Sequence, residues 1–211
     1  MNPYASLADD FGIFVYLNTK MELPAGRETV LHFFDSIQKT YPSLTDFDCR
    51  ENGEFCLEED REKGSYRWVT LENRRICSGY VSPPLVEDAD TFHDRVLELA
   101  PYHLDFNALD CEALDVLFSF DFMYKGNHDE VVAEALGLNT TLESLLKLPG
   151  SRVINYEPAL MLTLDEDCRL QCRLCIETRT NAYQIRTGQF ADAPISVYFT
   201  IRQYWGRQGQ R

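Results

Sequence analysis

Positive charge is scarce in this chain of 211 residues: 20 Lys and Arg stand against 34 Asp and Glu, a net charge of −14. Such a surface repels phosphate backbones and anionic lipid, so neither nucleic acid nor a membrane is expected as a partner. Long apolar runs are missing too. The densest near the start, Phe11 to Leu17, is far shorter than the roughly 20 residues that cross a bilayer. Residues 1–10 contain no Lys or Arg, and the first Lys is Lys20. No secretory or transit signal is read there, and the expected location is the cytoplasm. Histidine is limited to His32, His93, His103 and His128, without H-E-x-x-H or another compact zinc spacing. Neither G-x-S-x-G nor a glycine-rich phosphate cradle occurs. No metal, cofactor or catalytic residue is therefore assigned, and the reading leans away from an enzyme.

What is present suffices for a core. Hydrophobic residues make up 45% of the chain and aromatics 12%, which excludes wholesale disorder. The seven cysteines cannot all pair internally, because the number is odd, and free thiols in a reducing compartment account for them. Acidity is unevenly spread. Residues 151–211 hold eight Lys/Arg and six Asp/Glu, a net of +2, whereas residues 1–150 hold twelve and twenty-eight, a net of −16. A cationic ligand or basic partner would be attracted to that charge, although solubility alone is the plainer account of it.

Alternation places Phe11, Ile13, Val15 and Leu17 on one face of a strand over 11–21, with Phe14 and Tyr16 on the other, as an interior strand requires. Helical spacing of Val30, Leu31, Phe33, Phe34 and Ile37 follows over 28–40, ended by Tyr41 and Pro42. Phe47 and Cys49, then Asn52 and Gly53, then Phe55 and Leu57 read as a hairpin with a two-residue turn. Strands are predicted over 66–71 and 75–81, followed by a helix that carries Phe92, Val96, Leu97 and Ala100 and is capped by Asp88 or Asp90.

The pattern then restarts. Leu114, Val116, Phe118, Phe120 and Phe122 share one face of a strand over 114–124, with Asp115, Ser119 and Asp121 opposite. Asn127 caps a short helix to Leu136, stopped by Gly137, and Thr140 with Glu143 has capping-box spacing. A hairpin over 159–164 and 168–178, a last strand marked by Ile195, Val197, Phe199 and Ile201, and a frayed tail over 206–211 complete the reading. The expected fold is a single α+β domain over 1–211. It has a curved, mainly antiparallel sheet with helices on one face, in two strand-helix-strand-strand halves over 11–105 and 114–205. This order, over roughly residues 11–205, resembles the duplicated strand-helix-strand-strand proteins such as the gyrase-inhibitor-like small-molecule-binding domains. The resemblance implies a cleft between the halves and carries over no functional residue, since fold alone does not fix function.

Cys168, Cys172 and Cys175 have the C-x3-C-x2-C spacing that ligates an iron–sulfur cluster in radical S-adenosylmethionine enzymes, but only 36 residues follow Cys175, too few for their barrel. In a strand, Cys168 and Cys172 face one way with Leu170, Leu174 and Ile176, while Cys175 faces the other way with Arg169, Arg173 and Glu177. A structural hairpin is the better account, with Cys175 on the polar face and reacting first. Six residues are candidates for binding. Asp115 and Asp121 lie on the polar face of an otherwise apolar strand, and Glu157 follows Tyr156, with Tyr198 and Trp205 near the last strand. A carboxylate among aromatics suits an organic cation. The leading expectation is a cytosolic binding or interaction protein that takes an organic cation or basic partner in a groove between the halves. An acidic, immunity- or antitoxin-like blocker of a basic partner is the alternative, and a carboxylate-based enzyme is the third reading.

Overall fold

The computed structural model describes residues 4, 6–50, 53–137 and 144–205. Its strands are β1 (Asp10–Thr19), β2 (Asp46–Cys49), β3 (Phe55–Glu58), β4 (Tyr66–Glu72), β5 (Arg75–Val81), β6 (Cys111–Tyr124), β7 (Ala159–Thr163), β8 (Leu170–Glu177) and β9 (Ala193–Tyr204). They form one open antiparallel sheet in the order β2-β3-β4-β5-β1-β6-β9-β8-β7. Outward from the central β1–β6 pair, the two sides read alike: the first strand of each half pairs with the last strand of that half. Val15 lies opposite Val116 at the middle of the seam.

Helix α1 (Arg27–Gln38) buries Val30, Phe33, Phe34 and Ile37, the i, i+3, i+4, i+7 stripe of an amphipathic helix. Helix α2 (Val86–Leu104) buries Ala89, Phe92, His93, Val96, Ala100 and Leu104. Both pack on one sheet face in a single cluster with Phe11, Ile13, Leu17, Leu57, Val69, Leu71 and Ile76. Burial of each large side chain contributes about 1.5–3 kcal/mol relative to exposure. Neither Asp88 nor Asp90 caps α2. The helix starts earlier, Leu85 occupies the cap without a side-chain bond, and Asp88 falls in the first turn, where its charge meets the positive end of the helix dipole.

The β2–β3 turn also differs from expectation. Asn52 lies outside the described residues, but the Arg50 amide donates to the Glu54 carbonyl at 2.8 Å and Gly53 has φ +83°. The loop therefore encloses three residues, with glycine in the left-handed position. Thr140 and Glu143, and the tail from 206, also lie outside the described residues.

In the second half, Asn127 caps α3 (His128–Leu136), its side chain accepting from the Glu130 amide. Fully buried Asp129 accepts from the Tyr156 amide at 2.7 Å and the Thr178 hydroxyl at 2.8 Å. The short α4 (Ala182–Thr187) has a complete capping box between Asn181 and Gln184 and ends at Gly188 in the left-handed conformation. Arg152 donates to the Ile185 carbonyl at 3.1 Å. These bonds tie α3 and α4 to the chain around the end of β8. The apolar rows beneath α1 and α2 run on across the seam, for example Ile13–Phe118–Phe199–Leu174–Leu160. There Leu160 is 56% exposed and Leu174 44%.

Candidate functional site

On the face opposite α1 and α2, six neighbouring strands from β4 to β8 line one open hollow of about 540 Å³, within the range of small-molecule sites. Laid flat, six strands would span about 24 Å at ~4.8 Å spacing, so contact with a single hollow means that the sheet curls towards this face. Both halves contribute. β1, β4 and β5 supply Phe14, Tyr16, Trp68 and Val81, while β6, β8 and β9 supply Ser119, Asp121, Arg173, Cys175, Glu177 and Tyr198.

Strand register sets the order of side chains along the groove. One cross-strand row holds Asp10, Asp121, Ser196 and Glu177. The next holds Tyr66, Val81, Gly12, Ser119, Tyr198 and Cys175. The third holds Glu58, Trp68, Gly79, Phe14, Leu117, Thr200 and Arg173. The groove thus has an acidic end, an aromatic floor and, at the β8 end of the floor's own row, a guanidinium. The floor depends on two glycines. A Cβ on Gly12 would lie 2.6 Å from Phe14 Cζ, and one on Gly79 would overlap the Trp68 indole, so both rings lie flat where glycine leaves room. Their centroids are 5.8 Å apart.

At the acidic end, the Ser196 hydroxyl donates to Asp121 Oδ1 at 2.5 Å, and Arg179 Nη1 donates to Ser196 Oγ at 2.9 Å. Asp10 and Glu177 are exposed. Arg173 is exposed and makes no hydrogen bond or ion pair among the described residues. The thiols facing this side are poor nucleophiles. Burial raises the pKa of Cys56, Cys77 and Cys175, and Glu72 beside Cys77 raises that one further. Burial, helped by Cys77, pushes the Tyr16 phenol up to about 12, so it stays neutral.

The structure brings together two of the six candidates. Asp121 and Tyr198 both line the hollow. Asp115 lies on the same face but is buried, and its charge is already met: Arg202 donates from Nε to Oδ1 at 2.5 Å and from Nη2 to Oδ2 at 2.6 Å, and Asn18 Nδ2 adds a bond at 3.3 Å. Glu157 is exposed outside the hollow and accepts from the Thr178 amide at 3.2 Å. The neighbouring Tyr156 is half-buried and held to Asp129 through its amide. Trp205 follows the far end of β9, its amide donating to the Glu112 carbonyl at 3.0 Å. Ser196 marks the acidic end of β9, and Trp205 lies nine positions further along the chain, about 30 Å away. Glu157, beside the residue that follows Glu177, therefore cannot share a site with Trp205.

β6 and β9 help to form the groove, and α1 and α2 lie on the opposite face of the sheet. Cys175 also reverses its expected exposure: it is buried in the groove face, Cys172 is half-buried, and Cys168, in the turn before β8 with φ +56°, is exposed. Sequence reasoning missed Trp68, Phe14, Glu177, Asp10 and Arg173. Gly12 and Gly79 inside strands of aromatic residues were the available signal, since an interior strand glycine marks a close approach.

Fold and groove define an α+β protein with an open antiparallel sheet, one face roofed by helices over its first half and the other hollowed across both halves. No model of a known protein family matches the chain, and a search of curated proteins finds no significant relative. Among the described residues no helix is long and apolar enough to cross a membrane, and no cluster of His, Cys, Asp and Glu is arranged to hold a metal ion.

Proposed function

We propose that this is a non-enzymatic cytoplasmic binding protein whose groove takes a flat organic cation. The observation that carries this reading is the row of Asp10, Asp121 and Glu177 beside a floor of Trp68 and Phe14. Carboxylates attract the charge, and the aromatic faces add quadrupole attraction and apolar contact. Arg173, which makes no hydrogen bond or ion pair among the described residues, supplies donors to an acceptor group of the ligand away from the acidic row. The resemblance to small-molecule-binding domains with paired halves points the same way. Seven unpaired cysteines support a reducing compartment.

A bound ligand stabilises the fold by mass action, about 2.7 kcal/mol at a hundred times its Kd. A thermal-shift panel of flat aromatic cations, matched anions and neutral analogues tests the reading. Cations should raise Tm, and Asp121→Asn with Glu177→Gln should remove the shift while leaving the unliganded protein folded. Hits confined to anions, or cation hits that survive both substitutions, would overturn the assignment.

A further inference from the structure

We infer that the sheet face of the second half, which no described helix roofs, is the interface of a homodimer, in which two copies stack this face about a two-fold axis. The helix-side rows of β6, β9, β8 and β7 present Phe122, Phe199, Ile201, Val197, Leu174, Ile176, Cys172, Leu160 and Leu162, with no charged side chain among them. In the first half the equivalent rows are buried under α1 and α2. Here Leu160 is 56% exposed, Leu162 49%, Leu174 44% and Phe122 37%. Large side chains present roughly 150–250 Å² each, so these four leave on the order of 350 Å² open. The half-buried members of the rows extend the patch towards the ~800 Å² that each partner contributes to a standard interface. A monomer rarely leaves so large a contiguous apolar patch in water.

Two features select a second copy as the occupant. Residues 114–205 carry eight Lys or Arg and twelve Asp or Glu, a net of −4, while residues 1–113 carry ten and twenty-two, a net of −12. Isologous stacking of the less acidic halves keeps the more acidic halves apart, and closed two-fold pairing is the commonest solution for identical chains. The sheet edges differ in the same sense. Edge strand β2 carries Asp46 and Asp48, like charges that repel an approaching copy. Edge strand β7 has the sequence Ala-Leu-Met-Leu-Thr, exposed at all five residues and without charge.

The test is the mass of the full chain by sedimentation and light scattering across micromolar concentrations. The wild type should be a dimer. Leu160→Glu with Leu174→Glu should weaken self-association on the order of a hundredfold or more, because two charges would be buried at the contact. Phe47→Glu, on the opposite edge, should leave the dimer intact. Cys172 provides a readout in the unmutated protein: its alkylation should slow as concentration rises through the dimer Kd. A single-chain mass at all concentrations, a dimer that survives the paired leucine substitutions, or Cys172 reactivity independent of concentration would overturn the inference.

Discussion

Trp68 lies flat across Gly79, so close that a Cβ on the glycine would overlap the indole at Cε2 and Nε1. Strand register makes the pair: the two residues are cross-strand neighbours on β4 and β5. Gly79→Ala should force the ring off the sheet and cost about 1–3 kcal/mol, the usual penalty for overpacking. Urea denaturation checks the cost. In a Trp68→Ala background the same substitution should cost much less, because the clash is gone.

Asp115 and Arg202 face each other on β6 and β9 in a two-pronged ion pair with the carboxylate buried. Arg202 is partly exposed, so solvent tempers the pair. Asp115→Asn should still destabilise by about 1–3 kcal/mol in denaturant titrations, since a buried charge-assisted bond is lost. Cation binding in the groove should be unchanged, because Arg202 already neutralises this carboxylate.

His93, buried in α2, holds its Nδ1 2.8 Å from the Ser78 hydroxyl, and burial pulls its pKa down to about 4. The unfolded chain takes up that proton near pH 6.5, so it binds more protons than the folded state between those values. Stability from this group is complete above pH 6.5 and falls as the pH drops towards 4, by up to about 3 kcal/mol. Denaturation midpoints at pH 7 and pH 5 should differ less in His93→Gln than in the wild type. An NMR titration should show His93 neutral down to about pH 5.

Thiol reactivity should follow burial. Cys49 and Cys168 are exposed, Cys172 is half-buried, and Cys56, Cys77, Cys111 and Cys175 are buried. An aromatic disulfide reagent should titrate two thiols rapidly in the native protein and all seven after denaturation. Cys175 should lag well behind Cys168.

Much of the sheet was legible because period-two alternation is a local signal: β1, β4, β5 and β6 lie within a few residues of their expected spans. Helix α4 was missed because six residues carry too little periodicity, although Asn181, Gln184 and Gly188 marked its start and stop. Cys175 shows where alternation ends as a guide. It separates the two faces of a strand, but the burial of the polar face comes from the curl of the sheet. Asp115 looked like a free carboxylate because Arg202, 87 residues later, becomes its neighbour only through strand register. The aromatic floor was hidden for the same reason, since Trp68 and Phe14 meet across β5.

The groove is tested most directly by the fluorescence of Trp68 in a Trp205→Phe background, titrated with N-methylquinolinium, a flat aromatic cation. Saturable quenching is expected, weakened at least about tenfold when Asp121→Asn and Glu177→Gln remove two charges from the acidic end. Neutralising Asp46 and Asp48 instead removes the same charge far from the groove and should leave the binding curve in place. The absence of saturable quenching, equal quenching by a quinoline carboxylate, or equal loss in both charge variants would contradict a cation site in this groove.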